Sequence, residues 1–273
     1  LSHLKTDGLN GRIVLEEDGS SSGAYGPFTL KTALQPLFDR GSDGQVQLRG
    51  FEALLRLFRG AEPFPTADFF SRIGSKERLV LDDFCRSLHL INASLEKAHR
   101  HLLFLNINPA LYDGSRIIAS QVTNLLRQVE QSAYSPRQIV CEITEHRTPN
   151  AGLLTLLVDT LRERGFKIAV DDFGTEGSDS KRVALIRPDI VKLDADWVTR
   201  LMGSEAGFSS LAETVARFHQ QGALIVMEGL ENGWQVDLGW GAGADLIQGY
   251  GLARPQIAPT EFGVLYAGGR KVE

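Results

Sequence analysis

The chain is poor in cysteine, with only Cys85 and Cys141 in 273 residues. Both stand in apolar stretches, outside any Cys-x-x-Cys or zinc-ligand spacing, so a thiolate metal site and a multi-bridge disulfide framework are excluded. Two buried thiols are expected ahead of a single disulfide, which suits a reducing cytosol. No apolar run is long enough to span a bilayer, and no signal-peptide pattern is visible. A soluble cytoplasmic segment without membrane contact is therefore expected. Leu1 stands where a start Met would, which fits a piece of a larger protein. A long basic run is also missing and the formal net charge is −5, so charge alone does not point to a large nucleic acid. Solenoid-type repeats are absent. What remains is 42% hydrophobic and 23% charged, the balance of a globular protein. Its length fits one large α/β barrel or two small domains.

Residues 1–27 include the Gly/Ser-rich run 18–23, expected as a flexible lead-in, with the barrel domain over 28–273. Residues 30–38 and 45–56 read as strands joined by the turn "DRGSDG". Helices are expected over 66–73 and 79–97, a strand over 102–106, a helix over 115–131 and a strand over 138–143. A helix over 153–164 should bury the stripe Leu153, Leu156, Leu157 and Leu161. Strands then start at 166, 189, 223 and 245, separated by helices over 181–185, 209–221 and 231–240. Alternation of this kind implies right-handed βαβ units and a parallel sheet. About eight strands favour a closed (β/α)₈ TIM-like barrel, with one antiparallel strand near the start. A doubly wound open sheet is the structural alternative.

Each expected strand is apolar and then ends in polar residues: Glu52, Asn106, Glu142, Asp171 with Asp172, Lys192, Glu228 and Gln248. In a barrel those ends meet on one face. Any one of them alone is most simply a loop residue or a helix cap, but Lys192 inside an apolar strand needs a partner or a route to water. Five converging carboxylates cannot all ionise without cations. Oxygen ligands plus an amide suit two Mg²⁺ or Mn²⁺ ions, a pair able to activate water at a phosphodiester. No His or Cys falls at these ends, which disfavours zinc.

The same residues sit in stretches that resemble the EAL phosphodiesterase family. Glu52-Ala53-Leu54 is the naming tripeptide, weak alone. In order come Gln35-Pro36, "LNIN" at 105–108, "EITE" at 142–145, "DDFGT" at 171–175, "VKLD" at 191–194, "MEGLEN" at 227–232 and "QGYGLARP" at 248–255. The resemblance implies hydrolysis of cyclic di-GMP to linear pGpG. Carried across, Glu52, Asn106, Glu142, Asp171 and Asp172 match the metal site, and Lys192 the lysine near the nucleophilic water. Glu228 matches an essential glutamate sometimes assigned as general base, and Glu145 the glutamate that holds the loop after "DDFG". Gln248 completes the site and Arg56 meets a substrate phosphate; without the family, Arg56 reads equally as a surface residue. Glu231 is either a supporting residue or a first-turn helix residue. The pattern breaks after Thr175, where Glu176, Gly177, Ser178, Asp179 and Ser180 replace "GYSSL". That loop shapes the metal site and the homodimer interface in the family. The alternatives to an active enzyme are thus a cyclic di-GMP receptor or an interaction scaffold.

Overall fold

In the computed structural model, residues 12–95, 101–144, 150–175 and 180–265 are described. The chain opens with three antiparallel strands, β1 (Arg12–Leu15), β2 (Ser21–Tyr25) and β3 (Phe28–Arg40). β4 (Val46–Arg59) returns along β3 as a long hairpin, and β5 (Glu62–Phe64) folds back on its end. Helices α1 (Thr66–Ser71) and α2 (Ser75–Leu95) follow. Strand–helix alternation then takes over: β6 (Leu102–Ile107), α3 (Ser115–Glu130), β7 (Ile139–Ile143), α4 (Ala151–Glu163), β8 (Lys167–Phe173), α5 (Ser180–Ile186) and β9 (Ile190–Leu193). Two helices, α6 (Ala195–Met202) and α7 (Glu205–Gln220), precede β10 (Leu224–Met227), α8 (Gly233–Gly241) and β11 (Leu246–Ile247). A short β12 (Gln256–Ile257) and α9 (Phe262–Leu265) complete the described chain. No helix among the described residues is long and apolar enough to cross a membrane.

Seven strands, β4 and β6 to β11, run parallel to their neighbours, and β3 joins the two ends by pairing antiparallel with both β4 and β11. The barrel is therefore closed by eight strands with one reversed, as the sequence pattern suggested. An open sheet is excluded by the β3–β11 pairing.

Period-two alternation divides each strand between two cores. Leu37, Phe104, Val140, Ala169, Ile190, Val226 and Leu246 form an apolar plug inside the barrel. Their neighbours, such as Leu103, Leu105, Cys141, Ile168, Val191 and Ile225, face the helices. Both cysteines are buried and free.

Two local expectations are corrected. On α4 the buried stripe is Leu154, Leu157, Val158 and Leu161, whereas Leu156 is 40% exposed. The helix begins at Ala151, capped by the Asn150 side chain on the Gly152 N–H, and that start presents Leu154 to the core. The run 18–23 is not all loop, since Ser21–Tyr25 is the strand β2. Small residues are needed there because α2 lies directly over it: a Cβ on Gly23 would come 2.6 Å from the Phe84 ring. Asn92 of α2 accepts from Ser21 N at 2.8 Å and donates to Ser21 O at 2.9 Å and to Thr32 Oγ1 at 3.1 Å. Composition alone reads such a run as flexible, while this strand is held by a buried amide.

Replacing Asn92 by Leu leaves the Ser21 N–H and C=O without partners in a buried place. Asn92→Leu is expected to lower unfolding stability by about 2–3 kcal/mol, measured by urea denaturation. A change under about 0.5 kcal/mol would show that the β1–β2 hairpin is not part of the cooperative unit.

Candidate functional site

The polar residues stand one pleat beyond the plug. Asn106 follows Phe104 by two positions, Glu142 follows Val140, Asp171 follows Ala169, Lys192 follows Ile190, Glu228 follows Val226 and Gln248 follows Leu246. A period of two keeps each pair on the same face, so the barrel interior changes from apolar to polar in one step. On the long hairpin, Glu52 lies opposite Gln35, and both line the same cavity of about 590 Å³.

Lys192 is the centre of this layer, 1% exposed. Its Nζ lies 2.6 Å from Glu142 Oε1 and Glu228 Oε1, and 3.2 Å from Glu52 Oε2 and Asp171 Oδ1. Gln248 Nε2 donates to Glu52 Oε2 at 3.0 Å. An ammonium has three N–H groups, so it cannot donate to all four carboxylates. Among the described residues, Glu142 Oε1 and Oε2 and Asp171 Oδ1 receive no hydrogen bond of acceptable direction despite the short ion-pair distances. Buried acceptors without donors are where a cation fits.

Consecutive strand residues normally point to opposite faces, yet Asp171 and Asp172 both line the cavity. The register of β8 against β9 shifts between Val170 and Phe173, and Asp172 has φ 54°, in the left-handed region. This bulge turns the second carboxylate inward, at a backbone cost of roughly 1–2 kcal/mol. Asp171, Asp172 and Glu228 then offer oxygens within 4.8 Å of one another, a spacing suited to a hard divalent ion.

Charge state follows from this crowding. Burial raises the Glu228 carboxyl to about 8; Lys192 opposes the shift, while Asp171 and Glu52 add to it. Burial and the neighbouring Glu52 likewise hold Glu142 well above the ordinary carboxylate range. For Lys192, burial disfavours the charge, but Asp171, Glu142, Glu228 and Glu52 together outweigh it, and its pKa is raised. Crowding and burial thus favour proton binding at both Glu228 and Glu142.

Of the residues singled out in the sequence, Glu52, Glu142, Asp171, Lys192, Glu228 and Gln248 are joined directly, and Asp172 faces the same cavity. Asn106 and Arg56 instead line an adjoining cavity of about 340 Å³, which shares Leu54 with the first. Arg56 spends one N–H on the Leu55 carbonyl. Glu145 and residues 176–179 lie outside the described residues. The sequence reading missed Asp82, Arg86 and His89 of α2, which line the second cavity, and Asp196, Thr199 and Gln235 in the first. All six sit on helices, off the strand ends where the polar pattern was sought.

A family model of the EAL domain matches residues 28–255. The chain belongs to the EAL domain family. This EAL domain is 28% identical over 220 residues to the Bacillus subtilis EAL-domain protein YkuI, covering 79% of the chain and 53% of YkuI. It is 28% identical over 229 residues to the probable cyclic di-GMP phosphodiesterase PdeD of Escherichia coli, covering 81% of the chain and 40% of PdeD. The chain thus spans about half the length of these relatives or less. The crystal structure of YkuI with substrate c-di-GMP and calcium superposes with a TM-score of 0.74 at 26% identity, covering 87% of the chain and 58% of YkuI. A manganese and cyclic di-GMP complex of Klebsiella pneumoniae BlrP1 shares the fold, with a TM-score of 0.71 at 23% identity over 84% of the chain and 56% of BlrP1.

Two predictions follow from the charge balance of this EAL domain. Glu228 has a folded pKa of about 8 against an ordinary 4.5, so between those values the folded state holds the extra proton. Its contribution to stability is full below about 4.5 and is lost as pH rises through 8. Metal-free protein should lose stability over that window by up to about 1.4 kcal/mol per pH unit, and millimolar Mn²⁺ should flatten the slope; chemical unfolding at several pH values reads both. Lys192→Met, which leaves the carboxylates facing one another, should cost roughly 3–5 kcal/mol without divalent ions and recover part of that with Mn²⁺. A Lys192→Met variant as stable as the parent in chelator would contradict the role of the ammonium as countercharge.

Proposed function

We propose that this EAL domain hydrolyses cyclic di-GMP to linear pGpG with two divalent ions, Mg²⁺ or Mn²⁺. The observation that carries the reading is the Lys192-centred carboxylate cluster, with acceptors on Glu142 and Asp171 that, among the described residues, no donor meets in an acceptable direction. Glu52, Asn106, Glu142, Asp171 and Asp172 would hold the ions. When bound, such a pair supplies Lewis acidity that lowers the pKa of water and stabilises the leaving oxygen.

The protein's own groups account for the rest. Lys192, kept charged by its neighbours, offsets negative charge that builds on the phosphoryl group. Glu228 lines the cavity beside Lys192, where its carboxylate is placed to accept a proton from the attacking water. Water oxygen attacks phosphorus, the bond from phosphorus to the 3′ oxygen breaks, and that oxygen leaves with a proton as the 3′ hydroxyl. Gln248 fixes Glu52 through Oε2 and leaves Oε1 for an ion. Arg56 in the adjoining cavity takes the other phosphate of the cyclic dinucleotide, a role suited to a guanidinium. Glu145 is assigned to holding the loop after Thr175, and a second copy of the chain is the proposed protein partner.

The test is incubation of purified protein with cyclic di-GMP and Mg²⁺ or Mn²⁺, followed by chromatography. Metal-dependent pGpG is expected, and Glu52→Ala should lower the rate at least ~100-fold. Intact nucleotide with calorimetric binding would replace the enzyme by a receptor; no binding at all would leave a scaffold.

A further inference from the structure

Gln235 lies in the first turn of α8, is 6% exposed and lines the cavity beside Glu228 and Glu231. Its amide is oriented by the backbone. Gln235 Oε1 accepts from Glu231 N at 2.7 Å, and the Gln235 N–H donates to Asn232 Oδ1 at 3.1 Å. With the oxygen committed to an N–H donor, the other end of the amide must be the NH₂ group. That Nε2 has no protein partner among the described residues, and it is not among the polar atoms sealed without one. It is therefore a donor presented to a cavity whose lining includes six carboxylates, Glu52, Asp171, Asp172, Asp196, Glu228 and Glu231.

The segment that carries Gln235's partner is closely packed. Gly229 has φ 64°, and a Cβ there would stand 2.2 Å from Ala195 Cβ. Residues 249–251 press on the same segment: a Cβ on Gly249 would fall 2.2 Å from Leu230 O. A side chain anchored to such a segment keeps its free NH₂ in one place, which lowers the entropic cost of using it.

We propose that Gln235 is a substrate-binding residue of this site, its Nε2 donating to an oxygen of the bound cyclic dinucleotide. The proposal rests on the nucleotide reading above. Among the acidic side chains lining this part of the cavity, a neutral amide can contact an anionic ligand without adding repulsion, and its donor needs no titrating proton. Holding Glu231 in place is a separate duty of the same side chain, done by Oε1.

The experiment measures two affinities by calorimetry in wild type and Gln235→Met: cyclic di-GMP in the presence of Ca²⁺, and Mn²⁺ without nucleotide. Loss of the donor is expected to weaken cyclic di-GMP by about 10-fold or more, the scale of a hydrogen bond to a charged group, with Mn²⁺ affinity within about twofold. Parallel loss of both affinities would mean that Gln235 only props the loop, and overturns the proposal. Unchanged cyclic di-GMP affinity overturns it as well. If Gln235→Met does not fold, Gln235→Glu keeps an acceptor for the residue 231 N–H while removing the donor at 235; it too should bind the nucleotide about 10-fold more weakly, and wild-type affinity in it overturns the role. No binding of cyclic di-GMP by the wild type overturns the functional reading and this role together, whereas binding that the variants leave intact overturns the role alone.

Discussion

One buried ammonium sets the terms for the rest of this site. Lys192 has four carboxylates within 3.2 Å and almost no access to water. The attraction keeps it charged against the cost of burial, and its charge in turn lets the acidic groups share one small volume. The balance is incomplete because three donors face four acceptors and Asp172 adds a fifth carboxylate. Raised carboxyl pKa values and unsatisfied oxygens are two expressions of that deficit. A divalent ion resolves it from one side and bound protons from the other.

The barrel makes this crowding tolerable. The apolar plug of Phe104, Val140, Ile190 and Val226 lies one pleat below and closes the floor, so the charged layer has a single open side. Hydrogen bonds along the ladders fix each strand end, and the pairing of Asn106 with Glu142 and of Val226 with Lys192 leaves little freedom in depth. Repulsion among the carboxylates is opposed by the whole barrel, not by any one contact.

Much of this was legible in the sequence because both signals are local. Alternation of short apolar strands with helices reports the barrel, and the polar residue two positions after an interior apolar one reports the site, as Ile190 and Lys192 illustrate. Signals that depend on three-dimensional neighbours were not legible. The strand in the Gly/Ser run 18–23 exists because Asn92, some 71 residues later, bonds to Ser21. The α4 stripe was misphased because four leucines near its start fit two faces, and the cap at Asn150 chooses between them. Helix α6 went unread because "DADWV" follows a strand directly, with Asp194 serving as its cap. Gln235 escaped notice because its use depends on a backbone N–H four residues earlier and on a cavity wall, neither of which leaves a mark in composition.

The reversed strand has a further consequence for how the domain is wired. In an all-parallel barrel the polypeptide enters its first strand at the end remote from the chemistry. Here β3 runs the other way, with Phe28 paired to Arg59 at the far end of β4, so the chain enters the barrel on the mouth side. The β1–β2 hairpin arrives there too and is tied through Ser21, Thr32 and Asn92 to α2, the helix whose Asp82, Arg86 and His89 wall the second cavity. The β1–β2 hairpin is thereby mechanically connected to the entrance of the site, by a path only one helix long.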